Sequence, residues 1–323
     1  MRKPHEWLLD ASIYFSFDRS GYARHARTWP GFSDPLLTGG EQPLVGLITG
    51  GSRGIGAAAV ERLRTLGHQV ITCGRSPGQG QRDYLSLDTS DWAAIQQAVR
   101  ELPSLDFVGL NAGAMPDRFT RNADGVELQM ASQLFGHFLL VRNLLRTGRL
   151  RPGARILWMS SGGMYLQRLH LRHLLENQDY DKVATYANVK RAQVVLNEEM
   201  ARMPEFNGVG CYAMHPGWVD TAGLRAAIPT FWRWTHQRLR TPEQGADTLV
   251  WLAARPSEAS ARVASPRLVS GALYFDRRRV SPCLVPGTRA SAVQRKRLLA
   301  QIEHFLAPYT EPPGLSGEQA AVG

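Results

Sequence analysis

The sequence predicts an α/β fold in which one doubly wound parallel sheet carries helices on both faces. Two observations support this prediction. Short apolar runs of strand length alternate with stretches of helix length from residue 44 to residue 306, which is the pattern of a parallel sheet. The first run, at residues 44–48, leads into a glycine-rich turn at residues 49–56 and then into a helical stretch. We find no internal repeat and no second domain.

The elements follow in chain order, each from its own local signal. Short runs of apolar residues predict strands at residues 44–48, 69–73, 84–87, 107–110, 155–159, 209–214 and 272–275. Apolar residues at helical spacing predict helices at residues 57–66, from 90 onward, and at 125–145, 182–202, 241–254 and 290–306. Gly67 is the expected C-cap of the first helix, and Thr241 with Pro242 opens the fifth. The domain would span residues 44–309, followed by a disordered tail at residues 310–323.

Residues 1–43 precede the first strand and are expected to form an N-terminal extension. Aromatic and aliphatic residues at positions 7–9 and 13–17 predict an amphipathic helix, residues 20–22 a break, and residues 33–43 a linker. This helix either packs on the flank of the domain as a structural strap, or covers the substrate, or contacts a membrane surface. All the motifs described below follow the extension, which predicts that the domain folds without it.

The composition is that of an ordinary globular protein. The chain has 323 residues, 43% hydrophobic and 20% charged, enough for one large α/β domain. Its net charge of +10 comes almost entirely from arginine, because the only lysines are Lys3, Lys182, Lys190 and Lys296. The basic residues are scattered, and no nucleic-acid motif accompanies them. This distribution favours a solvated surface over a nucleic-acid partner.

The cysteines and the apolar runs indicate the compartment. Cys73, Cys211 and Cys283 have neither the spacing of a metal site nor that of a disulfide framework, so we expect no metal and a reducing environment. No apolar run reaches the roughly 18 residues of a membrane span, and no signal-peptide pattern follows Met1. These features predict a soluble, cytoplasmic protein.

The turn at residues 49–56 has the composition of a nucleotide-phosphate site. Its four glycines let the backbone approach a pyrophosphate where no Cβ intervenes, and the helix behind it offers free N–H donors and a positive dipole end. The residues expected to contact the nucleotide are Thr49, Gly50, Ser52, Arg53, Gly54, Ile55 and Gly56.

Tyr186 and Lys190 lie four residues apart in a predicted helix, so they share one helix face. A tyrosine that exchanges a proton near neutral pH must have its pKa lowered from about 10, and a nearby ammonium group favours the phenolate. An isolated pair of this kind is typical of a helix surface. The other motifs of this chain favour a role for this pair in proton transfer over a place on the helix surface.

The order of the motifs resembles that of the short-chain dehydrogenase/reductase family. The motifs occur as T-G-x-x-x-G-I-G, Asp88, N-A-G, Ser160-Ser161, Y-x-x-x-K and Pro216-Gly217. The match runs from about residue 44 to residue 275 and implies a Rossmann-type fold that binds a nicotinamide cofactor. Three further segments, at residues 160–164, 214–221 and 244–248, are typical of one subgroup of that family.

The resemblance implies roles for individual residues. Tyr186 would be the general acid in carbonyl reduction and the base in alcohol oxidation. Lys190 would lower the tyrosine pKa and hold the nicotinamide ribose, and Ser161 would hydrogen-bond the substrate oxygen. Gln133 stands where the family often has an asparagine of a proton relay, and its amide or its backbone carbonyl is expected to serve there. A loop inserted at residues 166–181 would border the substrate.

The end of the second strand indicates the cofactor. NAD enzymes usually place a carboxylate there, whereas NADP enzymes place an arginine near the 2′-phosphate. Arg75 occupies this place and Arg53 is a second cation, so NADP(H) is preferred and NAD(H) is the alternative. By resemblance, further cofactor contacts would come from Asp88, Asn111, Ala112, Gly113, Pro216, Gly217, Val219 and Thr221. A buried or capping role is the alternative for Asp88 and Asn111.

These features together predict an NADP(H)-dependent oxidoreductase that reduces a carbonyl or oxidises the corresponding alcohol. Aromatic residues at positions 222–239 suggest a lipophilic small-molecule substrate. The alternative is a catalytically weak nucleotide-binding sensor or scaffold on the same fold, against which the presence of Ser161, Tyr186 and Lys190 counts. Peripheral membrane contact through residues 1–40 and homo-oligomer formation are left open.

Overall fold

The sheet has eight strands in the order β3-β2-β1-β4-β5-β6-β7-β8. The computed structural model describes residues 12–29, 42–76, 83–172, 180–254, 267–285 and 287–312, so the predictions for residues 7–9 and for most of the linker lie outside the described residues. The strands are β1 Val45–Thr49, β2 Gln69–Gly74, β3 Tyr84–Ser86, β4 Leu105–Leu110, β5 Leu150–Met159, β6 Gly210–Met214, β7 Leu273–Phe275 and β8 Arg278–Val280.

Strands β1 to β7 are parallel and only β8 is antiparallel. The strand order reverses between β1 and β4, and in sheets of this kind ligands bind at that switch point, outside the carboxyl ends of the strands. The predicted doubly wound parallel sheet is confirmed.

Helices cover both faces of the sheet. They are α1 Ile13–Phe17, α2 Arg19–Ala26, α3 Gly54–Thr65, α4 Trp92–Glu101, α5 Leu128–Met130, α6 His137–Arg146, α7 Lys182–Met200, α8 Ala222–Ala227, α9 Pro229–Thr235, α10 Pro242–Ala254 and α11 Ala292–Leu306. Side chains alternate along each strand, so Leu47 enters the core beneath α4, α6 and α7, whereas Ile48 enters the core beneath α3 and α10.

The long helix predicted at residues 125–145 is interrupted. Between α5 and α6 the backbone forms a π-helical segment, Ala131–Gly136, whose wider turn frees carbonyl groups for other donors. The carbonyl of Ala131 accepts from Trp92 Nε1 at 3.1 Å, and that of Gln133 accepts from Gln193 Nε2 at 2.7 Å. These partners are distant in sequence, so local spacing could not predict the segment.

Strand β8 was not predicted, because its arginines suggest a solvated surface. It pairs with β7 through a two-residue turn in which Asp276 and Arg277 both have left-handed backbone, with φ of 46° and 59°. Such turns usually contain Asn or Gly. Here the side chains stabilise the turn instead, because Asp276 pairs with Arg240 and Arg277 pairs with Asp247.

The described part of the extension packs on the domain. The predicted break at residues 20–22 is wrong, because those residues lie inside α2. The chain breaks at Asp18 instead, whose carboxylate accepts from the amides of Ser20 and Gly21 and caps α2. Phe17 and Trp29 are both buried, as the strap interpretation predicts.

Residues 310–312 of the predicted tail are described, whereas residues 313–323 lie outside the described residues. Glu311 is buried; its amide donates to Asn143 Oδ1 at 2.9 Å and its carboxylate accepts from Arg100 at 2.9 Å. Within the residues described here, no helix is long and apolar enough to cross a membrane. In the same residues, no group of three or more His, Cys, Asp or Glu side chains could hold a metal ion.

Candidate active site

The glycine-rich turn joins β1 to α3 at the carboxyl edge of the sheet. Gly50 and Gly54 have left-handed backbone, with φ of 66° and 57°, and a Cβ at Gly56 would overlap the carbonyl oxygen of Gly50. Arg53 is the N-cap residue of α3 but makes no side-chain capping bond. The first amides of α3 are therefore left for an anion, which fits a pyrophosphate. Ile55 packs toward α10.

Thr49 connects this turn to the loop after β4. Its Oγ1 accepts from the amides of Asn111 and Ala112, both at 2.9 Å, and lies 3.0 Å from His137 Nε2. In return Asn111 Nδ2 donates to the carbonyls of Thr49 and Gly50, at 3.0 and 3.1 Å. The side-chain amide of Asn111 thus holds the turn in shape.

Hydrogen bonding fixes the tautomer of His137. Nδ1 lies 3.0 Å from the carbonyl of Gln133, which can only accept, so Nδ1 carries the proton. Burial and then the nearby Lys190 lower the pKa of His137 to about 3, so the ring is neutral and Nε2 accepts from the Thr49 hydroxyl. No local pattern in the sequence indicates that His137 links α6 to the glycine-rich turn.

Gln133 is fully buried. Its Nε2 donates to the carbonyl of Ala114 at 2.8 Å, and Gly113 packs directly against its side chain. Its backbone carbonyl accepts from Gln193 and His137, which occupies both lone pairs. Gln133 therefore supports the loop after β4, and its side-chain Oε1 is buried without a hydrogen-bond partner among the described residues.

Two arginines flank the turn. Arg53 precedes α3 and Arg75 follows β2, the neighbour of β1 in the sheet. Both side chains are exposed, and neither has a carboxylate partner among the described residues. Ser52, beside Arg53, is half-buried. Asp88 accepts from the amide and the hydroxyl of Ser90, at 2.9 and 2.7 Å, and so forms a local turn ahead of α4, whose N-cap is Asp91.

The loop after β5 brings Ser161 to Tyr186. Ser160 is buried and its hydroxyl donates to the carbonyl of Lys190 at 3.0 Å. Ser161 is half-buried and accepts from the amide of Gly163 at 3.3 Å. Its hydroxyl lies close enough to the Tyr186 phenol to lower the pKa of that group. Of the two serines, Ser161 is therefore the one beside the tyrosine.

Lys190 lies beneath this pair. Its ammonium nitrogen donates to the carbonyl of Met159 at 2.8 Å and lies 5.3 Å from the ring centroid of Tyr186. Burial lowers the pKa of Lys190 to about 7. Burial also raises the pKa of Tyr186 to about 12, although the bond from Ser161 opposes that rise. The expected lowering of the tyrosine pKa by Lys190 is absent, because desolvation of the phenolate is the larger effect.

The loop after β6 faces the glycine-rich turn. Gly217 has left-handed backbone with a φ of 76°, and the carbonyl of Pro216 accepts from Arg240 at 3.3 Å. Val219 packs against α10 at Gly245. Thr221 caps α8 by accepting from Leu224 at 3.1 Å, and its methyl group lies 3.4 Å from the position of a Cβ on Gly54.

The loops after β1, β4, β5 and β6 therefore meet at one edge of the sheet. The inserted loop reaches the same region, because His170 and Asn188 exchange two hydrogen bonds, at 3.0 and 2.9 Å, that tie it to α7. An uncapped helix N-terminus in a glycine cradle, two exposed arginines and a Ser–Tyr–Lys group fit a nicotinamide dinucleotide.

A family model described as short chain dehydrogenase matches residues 45–230. The chain belongs to the short-chain dehydrogenase/reductase family. It is 33% identical over 280 residues to human dehydrogenase/reductase SDR family member 12, a match that covers 81% of this chain and 85% of the relative. That relative represents the subgroup that the segments at residues 160–164, 214–221 and 244–248 indicate.

More distant relatives agree with this assignment. Mouse retinol dehydrogenase 11 is 28% identical over 229 residues, covering 65% of this chain and 72% of the relative. The structure of an uncharacterised protein from Mycobacterium paratuberculosis matches with a TM-score of 0.64 and 21% identity, covering 90% of this chain and 98% of that one; this match shows the fold alone. The chain is thus an NAD(P)-dependent short-chain dehydrogenase/reductase that acts on a small molecule.

Proposed function

We propose that this enzyme uses NADP(H) to reduce the carbonyl group of a lipophilic small molecule, and that Tyr186 is its general acid. The observation that supports this most directly is the placement of Ser161 beside the Tyr186 phenol, with the buried Lys190 ammonium 5.3 Å from the centroid of the Tyr186 ring. The residues that would donate to a substrate oxygen thus lie together at the edge of the sheet where the glycine-rich turn opens.

Each side chain has one task in this reaction. A nicotinamide cofactor held at the glycine-rich turn would supply the hydride for the carbonyl carbon. Ser161 hydrogen-bonds the carbonyl oxygen as negative charge develops there, and Tyr186 gives that oxygen its proton. The phenol of Tyr186 holds its proton at neutral pH, and its raised pKa makes it a weaker acid in the absence of cofactor and substrate. Lys190, when protonated, then stabilises the phenolate that remains. Alcohol oxidation runs through the same steps in reverse.

The preference for NADP(H) rests on Arg53 and Arg75. Both guanidinium groups are exposed beside the glycine-rich turn, where a 2′-phosphate could accept charge-assisted hydrogen bonds from them. NAD(H) carries a 2′-hydroxyl in that place and would gain less from the two cations. NAD(H) is therefore the weaker cofactor in this proposal.

The lipophilic character of the substrate rests on aromatic residues beside the catalytic loops. The Trp218 ring follows Gly217 directly and meets the rings of Tyr14 and Phe231, with centroids 5.5 and 5.2 Å apart. These rings come from α1, the loop after β6 and α9, and together they present an apolar surface. Retinol, for which the mouse relative is named, belongs to the class of substrate that would suit such a surface.

A screen of carbonyl compounds tests the proposal. Aliphatic, aromatic and isoprenoid aldehydes and ketones are offered with NADPH, and its absorbance is followed for the unsubstituted protein and for Tyr186→Phe. Turnover of an apolar carbonyl that is lost in Tyr186→Phe supports the proposal. Tight NADPH binding without turnover of any compound would favour the nucleotide-binding sensor instead.

A further inference from the structure

Phe17 of the N-terminal segment lies between two loops of the active site. We name residues 160–163 the serine loop and residues 215–219 the glycine loop. The Phe17 ring is 3% exposed, and a Cβ at Gly162 of the serine loop would overlap it. On its other side the ring meets His215 of the glycine loop, with centroids 4.7 Å apart. Phe17 therefore contacts the loop that carries Ser161 and the loop that follows β6.

Arg240 fixes Phe17 in this place. The guanidinium is 1% exposed, and its Nε donates to the carbonyl of Phe17 at 2.9 Å. Its other nitrogens donate to the carbonyls of Ser16 and Pro216, at 3.0 and 3.3 Å, and to both carboxylate oxygens of Asp276, at 2.6 and 2.8 Å. One buried side chain thus joins α1, the glycine loop and the turn after β7.

The backbone of Phe17 also bonds the glycine loop directly. The amide of Trp218 donates to the carbonyl of Phe17 at 2.9 Å. A Cβ at Gly217 would lie 2.6 Å from that carbonyl and 2.6 Å from Arg240 Nε, which is closer than a side chain tolerates. The glycine loop thus follows the surface formed by Phe17 and Arg240, and its path depends on both.

Charge pairing makes this arrangement rigid. An unpaired guanidinium in such a place would be costly to bury, whereas a bidentate pair with further carbonyl acceptors is stable. Burial opposes ionisation of Asp276, but Arg240 and His25 hold the pKa of that carboxyl below its usual range. The His25 ring, from α2, lies 2.5 Å from the same carboxylate, so the segment is held at two points.

We propose that Phe17 is a positioning residue of the active site, which sets the distance between the serine loop and the glycine loop while Arg240 locks it in place. The inference rests on the proposed function, because that function requires the substrate oxygen at Ser161 and a cofactor beside Gly217 at the same time. The N-terminal segment is thereby a fixed part of the active site and not a lid that opens.

The variant Phe17→Ala tests this proposal, and Trp29→Ala is its control. Trp29 is the control, because it is a buried aromatic residue of the same segment that packs on Tyr22 and Arg277. Its Nε1 donates to the backbone carbonyl of Asp276 at 3.1 Å and not to the carboxylate that pairs with Arg240. For both variants the measurements are the melting temperature, the Kd of NADPH by fluorescence titration, and amide hydrogen exchange of residues 160–163 and 215–219 without cofactor. Turnover is added once a substrate is known.

We expect Phe17→Ala to weaken NADPH binding and to lower kcat by about tenfold to a hundredfold, because small misplacements of reacting groups have effects of that size. Amide hydrogen exchange in both loops should become faster. Trp29→Ala should lower the melting temperature but leave these quantities within about twofold. Phe17→Leu, which keeps most of the volume, should restore them. It also provides the test if Phe17→Ala does not fold.

Equal behaviour of the Phe17 and Trp29 variants in binding and loop exchange would overturn this inference and leave the proposed function intact. Failure of the unsubstituted protein to bind NADPH or NADH would instead overturn the proposed function, and this inference with it.

Discussion

Ser160 and Lys190 tie β5 to α7 by two hydrogen bonds that run in opposite directions. The Ser160 hydroxyl donates to the carbonyl of Lys190 at 3.0 Å, and the Lys190 ammonium donates to the carbonyl of Met159 at 2.8 Å. Because both bonds are buried, they fix the helix against the end of the strand. The next residue in the loop, Ser161, is held against Tyr186 as a result.

Tyr186→Phe should lower kcat by about two to four orders of magnitude, the usual contribution of a positioned acid. NADPH affinity should change little, because the phenol proton is used in the chemical step. The measurements are steady-state kinetics and a fluorescence titration with NADPH. Tyr180→Phe is the control, because it removes a hydroxyl that donates to the carbonyl of Pro116 at 2.8 Å. Full activity of Tyr186→Phe would contradict the mechanism.

The double variant Arg53→Ala with Arg75→Ala should weaken NADPH binding by about tenfold or more for each charge-assisted hydrogen bond that is lost. NADH binding should change by much less, since NADH lacks the 2′-phosphate. Titration with both cofactors at one ionic strength measures the difference. Arg19→Ala with Arg27→Ala, two exposed arginines of the N-terminal segment, removes the same charge elsewhere. An equal weakening of NADPH and NADH binding would show that these arginines do not bind the 2′-phosphate.

Lys190→Met should flatten the alkaline side of the stability profile. Burial lowers the pKa of Lys190 from 10.5 to about 7, so between these values the unfolded chain binds more protons than the folded one. Stability therefore rises with pH across that window in the unsubstituted protein. Tyr186, with its raised pKa, acts in the opposite sense only above pH 10. Urea unfolding from pH 7 to pH 10 measures the slope, with Lys296→Met, at an exposed position, as the control. An unchanged slope in Lys190→Met would exclude Lys190 as its source.

His215→Phe should make the protein more resistant to acid. The His215 ring stacks on Phe275 with centroids 4.0 Å apart, and among the described residues neither ring nitrogen has a hydrogen-bond partner. Burial lowers the pKa of His215 from 6.5 to about 3, so stability is lost as the pH falls from 6.5 toward 3. Phenylalanine keeps the stacking and removes the titration. Acid unfolding followed by circular dichroism, beside His304→Phe at an exposed position, tests this. Identical acid midpoints for the two variants would count against it.

The sequence predicts those features that depend on neighbours along the chain. Residues 44–48 form a strand because a short apolar run can bury both of its faces, and Tyr186 and Lys190 share a helix face because they are four residues apart. The positions of β1 to β7 follow from such signals. The same signals predict that the glycine-rich turn lies near Ser160 and Ser161, because parallel strands end at the same edge of the sheet.

Contacts between distant residues carry no such signal. Phe17 and Gly162 meet only after the sheet has formed, and the pair of Arg240 with Asp276 joins residues from different loops. The pKa of Tyr186 was predicted in the wrong direction, because spacing reveals the neighbouring ammonium but not the extent of burial. The same limit applied to β8, because the turn that leads into it is stabilised by Arg240 and Asp247, which lie far away in the sequence.

Deleting the N-terminal segment distinguishes its two interpretations, a structural strap packed on the domain and a lid that covers the substrate. The sequence predicted that the domain folds without its extension, but deleting residues 1–29 removes Phe17, Trp29 and the carbonyl partners of Arg240. Each buried aromatic side chain contributes about 1.5–3 kcal/mol to the free energy of unfolding. The deletion would also leave Arg240 and Asp276 without the carbonyl and imidazole groups that complete their network.

Because a domain is typically stable by only about 5–15 kcal/mol, we expect the truncated protein to be insoluble or to melt far below the intact one. Deletion of residues 1–11 alone is the control, since it keeps α1 and α2 and should leave the melting temperature and NADPH binding nearly unchanged. Soluble yield, melting temperature and NADPH affinity of both truncations decide between the interpretations. A stable protein lacking residues 1–29 that binds NADPH normally, and differs only in its KM for large apolar carbonyls, would establish the lid and reject the strap.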